Sequence, residues 1–266
     1  MNFEKNMFRA PDAKEKEKKP QENFERFAEL DAMEAPIGGM LNGAFSPDGK
    51  FFAGNEGNTV RLFNAQNGKE AFKFESQAGV RDIALRPDGF VVLNEEGNFK
   101  IFVGSTAVEY RSFISNSDMT AIATTPDNQV IFACKDQSIK IYDPAEKRSK
   151  PLMVAKFPVA TMAISPDLIL AYANKDGKLE ICDPVSLRCS YSLDFKSRVS
   201  SLSFTPGGKL LVGLESGLIK ILDSKTGNEV KSLEGHSEEV LSVAWTPEGR
   251  VKSASKDGSI RTWAER

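Results

Sequence analysis

A four-residue turn motif centred on proline recurs six times along the chain at an almost constant spacing. It has forms such as Ser46-Pro47-Asp48-Gly49 and Thr246-Pro247-Glu248-Gly249. The six prolines are Pro47, Pro87, Pro126, Pro166, Pro206 and Pro247, so successive prolines lie 40, 39, 40, 40 and 41 residues apart. Proline presets the first central dihedral of a turn, and Gly or Asn tolerates a positive φ. The motif therefore predicts one tight hairpin in each of six repeated units.

A second marker runs in phase with the first. In each unit an alternating stretch such as Ile139-Lys140-Ile141-Tyr142 ends at a residue that is mostly large and apolar. These terminal residues are Phe63, Phe102, Tyr142, Cys182, Leu222 and Trp263, with spacings of 39, 40, 40, 40 and 41. Two independent markers with one period indicate a true internal repeat.

Each unit divides into four short strands. One strand precedes the proline turn (240–245 in the last unit), and a second follows it (210–214 in the fifth). The alternating stretch is the third strand, and a more polar fourth strand comes after it (229–233 in the fifth unit). Short strands separated by turns are typical of all-β folds. Six repeats of four strands predict a β-propeller with six blades of four antiparallel strands.

The last unit resembles the WD-repeat (tryptophan–aspartate) family of β-propellers. It contains Gly235-His236, Val240 to Trp245, and Ser253 to Trp263 with the turn Lys256-Asp257-Gly258. The resemblance extends over about residues 36–266 but is weaker in the earlier units, which lack the Gly-His pair and the terminal Trp. It assigns no subfamily. In the family, four positions form a structural hydrogen-bond network, and the matching residues here are His236, Ser253, Asp257 and Trp263.

The sixth unit lacks a fourth strand after Trp263. Residues 24–33 match the fourth strand in register, so we expect this N-terminal segment to close the ring. The alternative is that the chain belongs to something longer or is completed by a partner, because an open sheet edge invites association. Residues 1–23 include the mixed-charge run 13–20 and are expected to be a disordered tail. Residues 24–266 are expected to form a single domain.

Charge and composition disfavour several classes of protein. The chain has 35 Lys and Arg against 37 Asp and Glu, a net charge of −2, whereas proteins held to nucleic acid by bulk charge are basic. No stretch approaches 18 apolar residues, and the N-terminus lacks the apolar core of a signal peptide. With only three cysteines, a cytoplasmic or nuclear setting is expected.

The residues do not support catalysis. A Ser-His-Asp hydrolase would need a strained nucleophile turn such as Gly-x-Ser-x-Gly, which the sequence lacks. The cysteines have neither Cys-x-x-Cys spacing nor a nearby His, so zinc is not expected. Cys182 is expected in the core, and Cys182 and Cys189 are expected to be a reduced pair, although they could meet across a hairpin. No phosphate-binding or calcium loop is present, so neither enzyme activity nor a cofactor is expected.

Surface recognition then remains as the function. In the resembled family, partners dock on the face that carries the loops before the first strands and the turns between second and third strands. When the repeats are aligned, ten residues occupy these positions here: Leu41, Glu56, Arg81, Glu95, Lys135, Lys175, Arg198, Glu215, Leu241 and Lys256.

The sequence thus predicts a non-enzymatic scaffold, a WD-repeat subunit of a multi-protein complex, without a small-molecule substrate or membrane insertion. Arg81, Lys135, Lys175 and Arg198 favour acidic segments as partners. The alternatives are a coat or trafficking subunit whose incomplete propeller takes a partner strand, and a subunit of an RNA–protein particle that meets RNA only within the complex.

Overall fold

Six four-stranded antiparallel sheets make up the fold in a computed structural model, which describes residues 24, 26–103, 108–113, 118–125, 127–143 and 146–265. Blade one contains β2 (Asn42–Phe45), β3 (Phe51–Glu56), β4 (Thr59–Asn64) and β5 (Glu70–Glu75). Blade two contains β6 (Val80–Arg86), β7 (Gly89–Asn94), β8 (Phe99–Val103) and β9 (Val108–Phe113). Blade three contains β10 (Met119–Thr124), β11 (Val130–Cys134), β12 (Ser138–Asp143) and β13 (Arg148–Val154).

The remaining three blades follow the same plan. Blade four contains β14 (Thr161–Ile164), β15 (Leu170–Ala173), β16 (Lys178–Asp183) and β17 (Arg188–Asp194). Blade five contains β18 (Val199–Phe204), β19 (Lys209–Leu214), β20 (Ile219–Asp223) and β21 (Glu229–Leu233). Blade six combines β22 (Val240–Trp245), β23 (Val251–Ser255) and β24 (Ser259–Glu265) with the N-terminal β1 (Phe27–Glu34). The predicted all-β propeller with six four-stranded blades is therefore confirmed.

Burial follows the position of a strand within its blade. The second strand of blade five, β19, is buried at five of its six residues, because other blades cover both of its faces. The outer strand β17 instead alternates between exposed and half-buried residues. This period-two pattern is expected of a strand that turns one face to solvent. The apolar interior consequently lies between adjacent blades, where the faces of two sheets meet.

The proline turns have the backbone conformation that the sequence predicts in five blades, and the turn of blade two differs. Their fourth residue has a positive φ in five blades, at Gly49, Asn128, Leu168, Gly208 and Gly249. In blade two the turn is tighter, since Arg86 pairs directly with Gly89. Arg86 also replaces the Ser or Thr that precedes the proline elsewhere, and its buried guanidinium forms an ion pair with the exposed Asp88 at 3.0 Å.

The N-terminal strand closes the ring. β1 pairs antiparallel with β24, from Phe27 opposite Glu265 to Glu34 opposite Ser259. Phe24 and Phe27 are almost fully buried, and their ring centroids lie 5.4 and 6.1 Å from that of Trp245. The predicted closure is confirmed, and all six sheets have four strands from this chain. The predicted tail, residues 1–23, lies outside the described residues.

The six innermost strands surround a central channel of about 1260 Å³. They are β2, β6, β10, β14, β18 and β22, and each contacts the next around the ring, including β22 with β2. The lining runs from the residues where the inner strands begin to the prolines of the opposite turns, including Pro47 and Pro247. Within the described residues there is no helix with the length and hydropathy required to cross a lipid bilayer.

The expectation of a reduced cysteine pair is wrong. Cys182 and Cys189 are joined by a disulfide. The reason is the ladder between β16 and β17, which shifts register after Ile181 and places the two cysteines directly opposite each other. Cys182 is fully buried, as predicted for a residue at the end of the third strand.

Ring closure generates a stability prediction. Deleting residues 1–35 removes β1 and exposes the edge of β24 together with Trp245, so the variant should aggregate or melt well below the intact chain. The burial of Phe24 and Phe27 alone contributes on the order of 3–6 kcal/mol. A deletion of residues 1–20, which leaves Phe24 in place, is the matched control and should melt like the intact chain. Equal melting temperatures for both deletions, measured by circular dichroism, would show that β1 does not hold the ring.

Candidate interaction face

The mouth of the channel is the end at which the inner strands begin. Six of the ten residues predicted from register lie there and line the channel: Leu41, Arg81, Lys135, Lys175, Arg198 and Leu241. The other four, Glu56, Glu95, Glu215 and Lys256, are not part of the lining. They lie at the turns between second and third strands. Glu95 and Glu215 contact the mouth cations Arg81 and Arg198, respectively. Lys256 pairs with Glu239, whereas Glu56 lies near Arg61 of its own blade.

Arg81 bridges blades two and three. Its Nη1 donates a hydrogen bond to the carbonyl oxygen of Met119 at 2.6 Å, and its Nη2 donates one to the carbonyl oxygen of Glu95 at 2.8 Å. Because both contacts are to the backbone, the guanidinium is held in place but keeps its full positive charge. Arg81 therefore adds a fixed cation to the mouth.

Lys135 is paired on the same blade. Its Nζ lies 2.8 Å from a carboxylate oxygen of Asp118, and both side chains are more than half exposed. The hydrogen bond from Lys135, supported by the positive charges of Lys135 and Arg81, lowers the pKa of Asp118. An exposed pair of this kind contributes little to stability and can exchange partners readily.

Glu239 is the acidic centre of the opposite sector. Arg198 forms an ion pair with it across the boundary between blades five and six, and Lys256 approaches it at 2.7 Å. The Nε atom of Arg198 also lies 3.9 Å from Glu215. This four-residue network fixes the arginine in one direction and offsets much of its charge.

Lys175 and Leu41 differ from these paired residues. Lys175 lies exposed at the mouth, and no ion pair involves it among the residues that the structure describes. Leu41 is 56% exposed, whereas Leu241 beside the channel is buried. The mouth thus presents one unpaired cation and one open apolar side chain within a frame of fixed charges.

A half-buried carboxyl that lines the channel was not identified from the sequence. Asp82 accepts hydrogen bonds from the backbone N–H groups of Ile83, at 2.8 Å, and of Ile122 on the next blade, at 2.9 Å. Removal from water raises the pKa of Asp82 to about 7, and the two hydrogen bonds only partly oppose that effect. Other blades carry small neutral groups at the matching position, such as Thr161, Ser201 and Ser242. Only comparison of the aligned units could have marked Asp82 as different.

The four network residues of blade six meet as the resemblance implied. His236 Nδ1 lies 2.8 Å from an oxygen of Asp257, and its Nε2 lies 2.7 Å from Ser253 Oγ. Trp263 Nε1 donates to the same Oγ at 2.8 Å. Because Asp257 can only accept, Nδ1 carries the imidazole proton and Nε2 accepts from Ser253. Burial lowers the pKa of His236 despite the neighbouring Asp257, which agrees with a neutral ring.

This network contains the three residue types of a hydrolase triad, but its serine is not accessible to a substrate. Ser253 is fully buried, and its oxygen already accepts the indole hydrogen bond of Trp263. Burial raises the pKa of Asp257, but hydrogen bonds from Ser259 and His236 outweigh it and hold that pKa at about 2. The set therefore satisfies buried polar groups and joins the loop before β22 to β23 and β24.

Comparison with known proteins agrees with this architecture. Two family models match: the anaphase-promoting complex subunit 4 WD40 domain over residues 162–248, and the WD domain, G-beta repeat over residues 108–143. Six four-stranded blades around a channel define the chain as a β-propeller. The matches support the resemblance of this propeller to the WD-repeat family, with no subfamily assigned.

Three relatives share short segments with the chain. The protein transport protein sec13 of Aspergillus clavatus is 40% identical over 63 residues, which are 21% of each chain. The SIR4-interacting protein SIF2 of Saccharomyces cerevisiae is 34% identical over 55 residues, 21% of this chain and 10% of that protein. Coronin-7 of Mus musculus is 37% identical over 49 residues, 18% and 5% of the two chains. The matches thus cover about a fifth or less of each relative.

The buried network generates a stability prediction. Trp263→Ala should lower the free energy of unfolding by about 3–5 kcal/mol, as large core truncations do. His236→Ala should lower it by about 1–3 kcal/mol, because Ser253 and Asp257 lose a buried partner. Both values can be measured by urea denaturation. A His236→Ala variant with unchanged stability would contradict the structural role.

Asp82 generates a prediction about pH. Its pKa is raised from 3.8 to about 7 in the folded chain. Between these values the folded protein binds more protons than the unfolded chain, so stability should fall as pH rises from about 4 to about 7. Asp82→Asn removes this titration. From pH 5 to pH 8, the free energy of unfolding of the wild type should therefore fall relative to that of the variant by on the order of 1–3 kcal/mol. The exposed Asp31→Asn is the control, and parallel pH profiles for wild type and Asp82→Asn would refute the prediction.

Proposed function

We propose that this propeller is a non-enzymatic scaffold that binds other proteins at the mouth of its channel, as a subunit of a multi-protein complex in the cytoplasm or nucleus. The observation that carries the proposal is the arrangement at the mouth. Fixed charges from several blades surround two open groups, the ammonium of Lys175 and the side chain of Leu41. WD-repeat propellers commonly serve as interaction platforms, which agrees with this role.

The partner that best complements this mouth is an acidic peptide segment with an apolar residue. A carboxylate can pair with Lys175 directly, and it can replace Asp118 on Lys135, since that exposed pair exchanges readily. An apolar side chain on the same segment can cover Leu41, which is otherwise solvated. Arg81 and the Arg198–Glu239 pair add fixed charges that orient the segment, because complementary charges contribute more to orientation and association rate than to affinity.

The alternatives have less support. A trafficking role is favoured by the similarity to a protein transport protein over 63 residues. However, β1 fills the outer position of blade six, so this form of the chain has no vacant place there for a partner strand. Direct RNA binding would use the cations at the mouth, but Arg198 is paired with Glu239, and the whole chain has a net charge of −2, whereas nucleic-acid-binding domains are typically basic.

Charge reversal tests the assignment of the face. Lys135→Glu with Lys175→Glu should slow association with an acidic partner and weaken it about tenfold or more at low salt. The melting temperature should barely change, since exposed charges contribute little to stability. Raising the ionic strength should reduce wild-type association in the same direction. Partners are captured from native cells, identified by mass spectrometry, and measured in purified form by surface plasmon resonance.

The matched control carries the same charge change on the outer part of blade one. Lys69 and Lys73 are both exposed and far from the channel lining, so Lys69→Glu with Lys73→Glu should leave association intact. Leu41→Ser tests the apolar contact separately. If the control pair weakens binding as much as the mouth variants do, the partners bind the blade edges and the proposed face is wrong.

A further inference from the structure

Blade four departs from the other blades at two positions of its third strand. The middle of this strand is basic in five blades and acidic only in blade four. The matching residues are Arg61, Lys100, Lys140, Glu180, Lys220 and Arg261. Two residues later the five blades have Phe, Tyr, Leu or Trp, whereas blade four has Cys182. Residues two apart on a strand face the same side, so the two departures adjoin each other.

The neighbouring strand departs at the position opposite Cys182. Here the ladders place Glu70, Glu109, Ser149, Cys189, Glu229 and Glu29, in the order of the blades. In blades one, five and six the basic residue and this glutamate form an ion pair, for example Arg61 with Glu70 at 2.6 Å. Blade four has replaced both members of the recurring pair. Departures from a repeat that converge on one spot are typical of functional sites.

The three replaced residues form a compact donor cluster. The ligand atoms of Glu180, Cys182 and Cys189, one carboxylate oxygen and two sulfurs, all lie within 4.8 Å of one another. Glu180 and Cys182 are buried and Cys189 is half-buried. The Glu180 side chain is only 3% exposed and already binds a cation, since both oxygens lie within about 3 Å of Lys156 Nζ. Lys156 itself is 59% exposed and can move into solvent.

We propose that blade four contains a binding site for a zinc-class divalent ion, which forms when Cys182 and Cys189 are reduced. Two thiolates and a carboxylate are donors that Zn²⁺ prefers, and water would take the fourth position of a tetrahedral site. Binding releases the two thiol protons, and Lys156 leaves the carboxylate. The spacing argument against zinc fails here because the donors come from two facing strands and include a carboxylate.

The disulfide is the oxidised, metal-free form of the same site. A small-molecule disulfide of the R–S–S–R class would accept two electrons from the dithiolate. The Cys182–Cys189 bond forms, the S–S bond of the oxidant breaks, and two R–S⁻ thiolates and the metal ion are released. The register of β16 and β17 already places the sulfurs opposite each other, so neither strand has to change its pairing. Metal binding and oxidation therefore exclude each other.

The test uses the full chain reduced with a phosphine, which does not compete as a thiol ligand. Titration with Co²⁺ should produce thiolate-to-metal charge-transfer absorption and visible bands of a tetrahedral site, saturating at one ion per chain. Zn²⁺ should displace the Co²⁺, and affinity should rise with pH because thiol protons are released. The chain oxidised with a small disulfide should give none of these bands. Absence of the bands in the reduced chain, or their presence in the oxidised chain, would overturn the proposal.

Variants separate the three-donor site from binding by thiols alone. Cys189→Ser and Glu180→Gln should each weaken Zn²⁺ binding about tenfold or more. Lys156→Ala should tighten it, because the competing ammonium is gone. Cys134→Ser, which removes the buried cysteine of blade three, should leave it unchanged. Circular dichroism confirms that each variant is folded. If Glu180→Gln and Lys156→Ala both bind like the wild type, the carboxylate is not a ligand and the proposed site is wrong.

Discussion

The pairing of β1 with β24 is the contact on which the rest of the structure depends. Each blade buries its two faces against its neighbours, so the apolar interior is continuous only when every blade has a neighbour on both sides. β24 also contains Trp263. This residue donates a hydrogen bond to Ser253 in the network of blade six and lies opposite Glu29 of β1 in the ladder. Phe24 and Phe27 pack on Trp245 from the same segment, so the closure is stabilised by hydrogen bonds and by aromatic packing together.

Most of the positive charge at the channel mouth is paired within the fold. The four cations predicted from register come from four consecutive blades, but three have specific partners within the fold. Arg81 is bound by backbone carbonyls, Lys135 by Asp118 and Arg198 by Glu239. The contacts of Arg81 and Arg198 hold these two side chains in fixed directions, which lowers the entropy lost when a partner binds, whereas the exposed Lys135–Asp118 pair can exchange. Such a surface selects partners by the position of their charges more than by their total charge.

The sequence predicts the repetition well because its signals are local. The proline turns, the alternating third strands and the match of residues 24–33 to the fourth-strand register depend on neighbours along the chain, and they define six blades and the closure. The environments of Asp82 and Glu239 and the Cys182–Cys189 bond depend instead on contacts between blades and on strand register. Asp82 meets the N–H of Ile122 on another blade, and Glu239 takes cations from two blades. The disulfide follows from a one-residue shift in a ladder, which no propensity reports.

The closure also brings the two ends of the propeller together. Phe27 lies opposite Glu265 in the ladder, so the chain enters and leaves the ring at one corner of blade six. The numbering of the blades therefore depends only on where the termini lie, because every blade contacts a neighbour on both sides around the ring. A linker joining this corner would allow the cut to move to an outer hairpin of another blade. A circular permutant of that kind would keep the same ladders while changing which blade carries the seam.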